Sequence, residues 1–257
     1  MNKYFYKQIL GVTLLLLLLI NFSFAQPKKR SVTNKKSVTT RTTATTDVVK
    51  EPWKLLNSKE KLVEISTSYG VMIARLYDST PKHRDNFVKL VEKKFFDSLL
   101  FHRVIDGFMI QGGDPTSKNA PDDAQLGGGS APGDRIPAEF RSNLFHKKGA
   151  LSAARDNNPS MASSNCQFYI VQGKPMNEQD LNNNYESRVK AINPLFQYKK
   201  SQKEIYSKIG GTPFLDQSYT VFGEVISGLE VIDKIAKAPK SGERPGPNIM
   251  MKVRLLN

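Results

Sequence analysis

The sequence predicts a mainly β fold, a closed antiparallel barrel capped by two helices. From residue 61 onward, short runs of β-branched and aromatic residues alternate with glycines and turn residues, which is typical of many short strands. Outside one inserted segment, only two stretches of this region have apolar residues at helical spacing. Many strands with two isolated helices are typical of a barrel whose ends are covered by helices.

The predicted strands follow one another along this region. The first two, Leu62–Ile65 and Val71–Leu76, flank Ser68-Tyr69-Gly70, which is a hairpin signal because glycine and serine favour tight turns. The later strand-like runs are Leu100–Val104, Phe108–Gln111, Gly149–Ala154, Phe168–Val171, Tyr219–Ile226 and Met250–Leu256.

The two capping helices are predicted from their starts and their apolar faces. Thr80-Pro81 supplies an N-cap residue followed by proline at the first helical position. Phe87, Leu90 and Val91 then form one apolar face. The second helix is short and covers Leu229–Ile235, between the last two predicted strands.

Residues 174–212 interrupt this pattern and predict a helical hairpin inserted between two strands. Asn177 can cap a first helix. The apolar positions of that helix recur every three or four residues: Leu181, Tyr185, Val189 and Ile192. Asn193-Pro194 interrupts the helix, and a second helical stretch ends at Gly210-Gly211. We expect the apolar stripe to dock on the barrel, because a helix pair must bury its apolar face.

The first 25 residues predict a secretory signal peptide. Lys3 and Lys7 form a positive start, Ile9–Ile20 is an apolar run, and Ser23–Ala25 offers small residues at the cleavage position. The run is short for a bilayer-spanning helix, which needs about 20 residues. An uncleaved membrane anchor is the alternative. Either way, we expect export to the periplasm or cell envelope.

Residues 26–50 predict a flexible linker, because they are rich in Ser, Thr, Lys and Arg and have little to bury. They hold seven basic residues and one acidic residue, and more than half of the chain's net charge of +14 lies in residues 1–50. We therefore predict no nucleic-acid partner for the folded part, residues 51–257. Weak contact of the linker with an anionic envelope surface is the alternative to a solvated tether.

Cysteine and histidine usage argues against a metal or disulfide framework. The chain has one cysteine, Cys166, so it forms no intramolecular disulfide. Its three histidines leave little room for a histidine metal cluster. We expect no metal and no cofactor.

The most informative stretch, residues 101–114, reads Phe-His-Arg-Val-Ile-Asp-Gly-Phe-Met-Ile-Gln-Gly-Gly-Asp. It resembles the signature of the cyclophilins, the cyclosporin-binding class of peptidyl-prolyl isomerases. Further matches follow in order: Thr80-Pro81, Asn86-Phe87, Ile136–Phe140, Gly149–Ser152, Gln167–Ile170 and Val221–Gly223. The resemblance spans residues 61–256 apart from the insertion. It implies a closed eight-stranded antiparallel barrel with two capping helices, and prolyl isomerase activity.

The resemblance also implies the site residues. Arg103 matches the catalytic arginine of the family. Rotation about an Xaa–Pro bond faces a barrier of about 18–20 kcal/mol and requires no nucleophile or metal. A guanidinium aimed at the amide nitrogen stabilises the twisted state more than the planar one. The residues implied to bind substrate are His102, Phe108, Met109, Gln111, Ala154, Arg155, Tyr169, Phe214, Leu215 and Tyr219.

These residues divide by the part they play in the family. Phe108, Met109, Tyr169 and Leu215 match the apolar proline pocket, Gln111 matches the side chain that hydrogen-bonds the substrate backbone, and Ala154-Arg155 matches the strand that aligns the peptide. His102, Phe214 and Tyr219 match the pocket wall.

Four positions depart from the pattern of the family. Tyr169 replaces the more usual Phe, and Phe214 stands where cyclosporin-sensitive members carry Trp. Tyr219 replaces the His that is frequent in the pocket wall. Asp106 stands where Pro is usual, and we expect its carboxylate to lie near Arg103.

The predicted function is prolyl isomerisation that assists the folding of exported proteins. The expected partners are proline-containing peptides and unfolded or exported client proteins, and we expect a monomer. One alternative is a binding module that recognises proline segments without fast turnover, which the retained Arg103, Phe108 and Gln111 disfavour. Another is a basic envelope-tethering or nucleic-acid-binding protein driven by residues 26–50, a segment that lacks interleaved aromatic residues for base stacking. We expect the insertion to lie beside the active-site mouth and extend the client surface, with a passive insertion as the alternative.

Overall fold

The computed structural model describes residues 60–257; the predicted signal peptide and linker lie outside the described residues. None of the helices in residues 60–257 has the length and apolar character needed to cross a bilayer. The strands of this part are β1 (Leu62–Thr67), β2 (Gly70–Leu76), β3 (Arg103–Ile105), β4 (Met109–Gly112), β5 (Ala150–Ala153), β6 (Phe168–Val171), β7 (Val221–Ser227), β8 (Lys240–Ser241), β9 (Arg244–Pro245) and β10 (Met251–Leu255). The helices are α1 (Pro81–Glu92), α2 (Glu178–Asn184), α3 (Lys200–Lys208) and α4 (Leu229–Ala236).

Eight of these strands form one curled antiparallel sheet in the order β10-β1-β2-β7-β5-β6-β4-β3. The predicted eight-stranded antiparallel sheet with helices is therefore confirmed. Within residues 60–257 no ladder joins the two end strands, β10 and β3, so closure into a barrel stays a prediction. Strands β8 and β9 form a separate small hairpin, in which Lys240 pairs with Pro245 and Ser241 with Arg244.

The main core lies between the sheet and helices α1 and α4. Phe87 of α1 lies with its ring centroid 4.8 Å from that of Phe96 and 5.4 Å from those of Phe168 and Phe222. These rings meet because Phe87 lies on the apolar face of α1, and Phe168 and Phe222 lie on β6 and β7. The packing fixes α1 against the strands that carry the candidate site.

The N-terminus of α1 is capped differently from the prediction. Thr80 occupies the N-cap position, but its hydroxyl donates to the Tyr77 carbonyl at 3.3 Å and makes no capping bond. Instead, the Glu139 carboxylate accepts the backbone N–H groups of Lys82 at 3.2 Å and His83 at 3.0 Å. A carboxylate brought by the tertiary fold thus satisfies the free N–H groups of the helix and complements its dipole.

Glu139 and His83 form a buried polar pair below this helix end. The His83 ring lies with Nδ1 2.7 Å from Glu139 Oε2 and Nε2 2.9 Å from the Ser163 hydroxyl. Burial alone would raise the pKa of Glu139, but the hydrogen bonds from the His83 side chain and from the backbone outweigh burial and lower it. Burial lowers the pKa of His83, which favours its neutral form.

The inserted segment has two helical parts, as predicted. Asn177 caps α2 by accepting the Asp180 N–H at 2.8 Å, which confirms its predicted role. Helix α2 continues as a π-helical turn, Tyr185–Val189, and a last helical turn, Lys190–Ile192. Leu181 and Val189 are buried as expected, whereas Ile192 is 39% exposed, so its predicted docking is wrong. Ile192 is the last residue of this helical run and is followed by Asn193-Pro194, so no further turn continues the apolar face beyond the buried Val189.

Replacing Glu139 with Gln is expected to lower the free energy of unfolding by about 1–2 kcal/mol near pH 7, because charged capping and the hydrogen bond to His83 are weakened. The folded-state pKa of Glu139 is lowered, so its contribution is present above the unfolded pKa of about 4.3 and is lost as the pH falls through the folded pKa. Urea unfolding of both proteins from pH 7 downward should therefore show the difference shrinking in acid.

The exposed Glu92→Gln, in the same helix, serves as the control and should change the unfolding free energy little at any pH. A difference between wild type and Glu139→Gln that persists undiminished in acid would contradict the capping role.

Candidate active site

A surface cavity of about 470 Å³ gathers the predicted site residues, a volume within the range of ligand sites. Ten of the eleven predicted residues line it: His102, Arg103, Phe108, Met109, Gln111, Ala154, Arg155, Tyr169, Leu215 and Tyr219. Phe214 lies beside the cavity and is 38% exposed, with its ring centroid 5.5 Å from that of Phe108. The structure thus brings together residues that lie up to 117 positions apart, His102 to Tyr219.

The sheet register sets the arrangement of the polar part. Arg103 on β3 lies directly opposite Gln111 on β4, and Gln111 lies opposite Tyr169 on β6. Residues directly opposite each other in an antiparallel pair share one face of the sheet and have neighbouring side chains. The three side chains therefore form one row across the cavity.

The apolar part of the cavity is formed by Phe108, Met109, Tyr169, Leu215 and Tyr219. The Met109 side chain is buried, and the Tyr169 and Tyr219 rings pack edge to face with centroids 6.1 Å apart. Such a wall of aromatic rings and a thioether can accept a compact apolar ring by burying its surface.

The Arg103 guanidinium is held by two partners. Its Nε and Nη2 donate to the Glu243 carboxylate, the Nη2 bond at 3.4 Å, and its Nη1 donates to Gln111 Oε1 at 3.4 Å. The Arg103 side chain is 39% exposed and that of Glu243 is 53% exposed, so the pair lies in high dielectric. Ion pairs of this kind are worth about 0–1 kcal/mol, which is too little to keep Arg103 from a bound substrate.

The carboxylate beside Arg103 is therefore that of Glu243, and the expectation that Asp106 fills this place is wrong. Asp106 accepts a hydrogen bond from Gln172 Nε2 at 3.2 Å instead. Asp106 lies in the turn between β3 and β4, at one end of this hairpin. Arg103 and Gln111 pair at the other end. Sequence neighbours three residues apart are separated here because one lies in the strand and the other in the turn.

Glu243 lies in the two-residue turn of the β8–β9 hairpin, after Gly242, whose φ of +59° suits glycine. The backbone N–H of Val104 donates to the Glu243 carbonyl at 2.7 Å, which ties this turn to β3. Arg244 Nη1 donates to the Ala124 carbonyl at 2.9 Å and so joins two loops. These loops add six residues to the cavity wall: Ala124, Leu126, Gly127, Ser241, Glu243 and Arg244.

Sequence reasoning missed these six residues because they lie in loops or in two-residue strands, where no periodicity marks which side chain points inward. The Gly127-Gly128-Gly129 run was the one local signal in this part of the wall. Gln167 Nε2 donates to the carbonyls of Gly127 at 2.9 Å and Gly129 at 2.8 Å, and so holds this loop.

Gln111 is oriented by its neighbours. Its Nε2 donates to Gln167 Oε1 at 3.2 Å, while its Oε1 accepts from Arg103. The amide orientation follows from these two bonds, since Arg103 can only donate. Gln111 keeps a second N–H group that can meet a ligand in the cavity.

Ala154 and Arg155 differ in their main-chain hydrogen bonds. The backbone N–H of Ala154 donates to Gln167 and its carbonyl accepts from Ser164, at 2.9 and 2.8 Å. The backbone N–H and carbonyl of Arg155 take part in none of the hydrogen bonds within residues 60–257. The Arg155 guanidinium lies 4.4 Å from the centroid of the Tyr219 ring and donates to the Ser218 carbonyl at 3.0 Å. Arg155 therefore presents free main-chain groups at the cavity.

His102 is 5% exposed, and neither of its ring nitrogens has a hydrogen-bond partner among the described residues. Burial lowers its pKa, although the nearby Asp114 carboxylate opposes this. A neutral ring against the cavity is consistent with a wall residue.

The cavity therefore combines an apolar pocket with a guanidinium, a fixed amide and free main-chain groups. In the part of the chain that the structure describes, no group of three or more His, Cys, Asp or Glu side chains is placed to hold a metal ion. This arrangement suits the binding of an extended peptide. A residue of the peptide with an apolar ring would enter the pocket beside Arg103.

Comparison with known proteins identifies the family and supports the fold. Residues 62–254 match the family described as cyclophilin type peptidyl-prolyl cis-trans isomerase/CLD. The chain belongs to this family and is a peptidyl-prolyl cis-trans isomerase, which confirms the predicted activity.

The chain is similar to bacterial members of this family. A protein of Staphylococcus haemolyticus assigned as a peptidyl-prolyl cis-trans isomerase is 34% identical over 195 residues, which cover 76% of this chain and 89% of that protein. A Staphylococcus aureus protein with the same assignment is 35% identical over 186 residues, or 72% and 85% of the two chains.

A solved structure supports the fold. The crystal structure of a Cryptosporidium parvum cyclophilin type peptidyl-prolyl cis-trans isomerase superposes with a TM-score of 0.54 and 23% identity, and the match covers 77% of this chain and 98% of that one.

Proposed function

We propose that the 470 Å³ cavity is the active site, in which Arg103 stabilises the twisted Xaa–Pro bond. The observation that carries the proposal is the row of Arg103, Gln111 and Tyr169 beside the apolar pocket. As the bond twists, its nitrogen becomes pyramidal, and the lone pair that resonance shares with the carbonyl in the planar amide becomes localised on the nitrogen. A guanidinium near that nitrogen stabilises the twisted state more than the planar one, which lowers the barrier.

The other cavity residues hold the substrate on either side of this bond. Phe108, Met109 and Leu215 would bury the proline ring, while the free N–H of Gln111 and the backbone of Arg155 would hydrogen-bond the peptide. The proline ring would thus stay fixed in the pocket while the carbonyl group of the preceding residue rotates about the C–N bond. A crystal structure of the Cryptosporidium parvum protein was determined in the presence of the dipeptide Ala-Pro, which supports a proline-containing peptide as ligand.

We further propose that the protein is exported and assists the folding of proteins outside the cytoplasm. The support is the sequence of residues 1–25, with Lys3, Lys7, the run Ile9–Ile20 and Ala25. Because proline isomerisation takes tens to hundreds of seconds without catalysis, unfolded exported chains are suitable clients. The tethering alternative requires residues 26–50 to be the functional part, whereas the family match lies in residues 62–254.

Replacing Arg103 with Ala is expected to lower kcat/KM on an Xaa-Pro tetrapeptide at least about tenfold, equivalent to about 1.4 kcal/mol of transition-state stabilisation. Arg103→Lys should recover only part of the loss, because an ammonium lacks the planar fork of the guanidinium. A protease-coupled isomerase assay measures both variants. Arg254→Ala is the matched control, since Arg254 also pairs with a glutamate, Glu64, outside the cavity. Wild-type turnover by a folded Arg103→Ala would contradict the mechanism and favour a binding module.

Replacing Glu243 with Gln is expected to lower kcat/KM by about two- to fivefold, because an exposed pair that orients Arg103 is worth at most about 1 kcal/mol. The loss relative to wild type should diminish at high salt, where the pair is screened in both states. Glu64→Gln, which removes the comparable pairing of Arg254, is the control and should leave kcat/KM unchanged. A rise in kcat/KM would mean that Glu243 restrains Arg103 rather than orients it.

Expression of the full-length chain in a bacterial host is expected to yield a product that starts at Gln26 in the periplasmic or envelope fraction. Mass spectrometry of the intact protein and cell fractionation measure this. A full-length product in the membrane fraction would identify the uncleaved anchor instead. A full-length product in the cytoplasmic fraction would contradict export and leave the isomerase activity itself unaffected.

A further inference from the structure

A buried carboxylate connects the inserted segment to the cavity. Asp216, the residue after Leu215, is 1% exposed. Its Oδ1 accepts the backbone N–H of His146 at 2.8 Å and contacts the His146 Nδ1 at 2.7 Å. Its Oδ2 accepts the hydroxyls of Tyr198 and Tyr206, both at 2.6 Å. A carboxylate offers about four acceptor positions, so Asp216 is fully occupied.

The chain of hydrogen bonds continues from His146 into the pocket. Because the Asp216 carboxylate only accepts, His146 Nδ1 carries the proton that lies between them. In the uncharged ring, His146 Nε2 then accepts the Tyr169 hydroxyl, 2.9 Å away. His146 is 1% exposed, and its ring is nearly parallel to that of Tyr169, with an interplanar angle of 12°. Tyr169 thus has its hydroxyl in this buried chain and its ring in the wall of the cavity.

Two of the anchoring groups come from the insertion. Tyr206 lies on α3 and is fully buried, and Tyr198 lies just before α3 and packs edge to face on Tyr206, with centroids 5.8 Å apart. Other contacts of the insertion go elsewhere, such as Gln202 Nε2 to the Ser142 carbonyl at 3.0 Å, or are made by its last residue, Thr212, whose carbonyl accepts the backbone N–H of Leu215 at 3.1 Å. The two tyrosines therefore join the insertion to a residue of the cavity wall.

We propose that Tyr198 and Tyr206 are positioning residues for prolyl isomerisation, which act through Asp216 and His146 on the Tyr169 ring. A buried hydroxyl without a partner is costly, so Tyr169 keeps its bond to His146 and adopts the orientation that this bond requires. His146 is in turn oriented by Asp216, whose second oxygen is held by the insertion. The inserted segment thereby sets the shape of the proline pocket without touching the substrate.

The experiment is a double-mutant cycle on the full-length chain. The pair Tyr198→Phe and Tyr206→Phe removes two hydroxyls and keeps both rings. In the protein that retains Tyr169, this double substitution is expected to lower kcat/KM on an Xaa-Pro tetrapeptide about five- to tenfold. The loss should come mainly from a higher KM, because the pocket wall contacts planar and twisted substrate alike. In the Tyr169→Phe background, which lacks the linking hydroxyl, the same pair should change kcat/KM by less than about twofold.

An equal loss in both backgrounds would overturn the proposal, because the tyrosines would then act on the enzyme without Tyr169. Tyr185→Phe is the matched control: it removes a hydroxyl that donates to the Phe196 carbonyl at 2.9 Å in the same insertion. It should leave kcat/KM unchanged, and a loss equal to that of the pair would show general loosening of the insertion and overturn the proposal. If the pair does not fold, Tyr198→Phe alone, at a partly exposed position, completes the same cycle.

A spectroscopic measurement tests the chain directly. NMR with ¹⁵N-labelled histidine should show a downfield Nδ1 proton for His146 that is unchanged in Tyr185→Phe and shifts in the Tyr198→Phe, Tyr206→Phe protein. An unchanged signal in the latter would overturn the proposal. The inference rests on the proposal that the cavity is the active site, which Arg103→Ala tests separately. If Arg103→Ala has no effect, the site is wrong; if it lowers kcat/KM and the cycle is additive, only the present inference fails.

Discussion

The antiparallel ladder of β3, β4 and β6 is the constraint on which the site depends. It sets Arg103 opposite Gln111 and Gln111 opposite Tyr169, so one row of side chains carries a charge, an amide and an aromatic ring. A slip of one residue in either pairing would turn each of these side chains to the other face of the sheet. The core behind the sheet, with Phe168 of β6 packed on Phe87 of α1, specifies the register because Phe168 has to remain inside.

The charged pair of the site lies at the protein surface and not inside the sheet. Arg103 is anchored at one edge by an exposed partner, Glu243, and the fold therefore does not have to bury an ion pair and bear its desolvation cost. The buried carboxyl groups of Glu139 and Asp216, by contrast, are each surrounded by hydrogen-bond donors. The charge of Arg103 in the cavity is kept accessible, and these buried carboxylates are kept hydrogen-bonded.

The insertion is hydrogen-bonded into the protein interior at Asp216. Its side chains Leu181, Val189 and Tyr206 are buried, so part of the segment lies in the protein interior. Its hydrogen bonds to Asp216 are linked to the Tyr169 hydroxyl by two further hydrogen bonds, between Asp216 and His146 and between His146 and Tyr169. A phenylalanine at position 169 would have no such connection, because it lacks the hydroxyl.

The sequence by itself determined the part of the site that is local. Arg103, Phe108, Met109 and Gln111 lie within one hairpin, and alternation within its strands indicates which residues share a face. The positions of the strands along the chain, the two capping helices and the position of the insertion were also predictable, because each has a periodic or turn signal of its own. The family signature added the more distant Tyr169, Leu215 and Tyr219.

Only the tertiary structure decided which distant polar groups meet. Glu243 reaches Arg103 across 140 positions, and Glu139 caps α1 in place of Thr80. Ile192 is exposed at the last residue of its helical run, beyond the buried Val189. Periodicity reports which face of an element is apolar, but it does not report which loop packs against that element. Hydrogen bonds of carboxylates and guanidinium groups depend on loop placement to within about 1 Å, and this placement follows from the packing of the whole sheet.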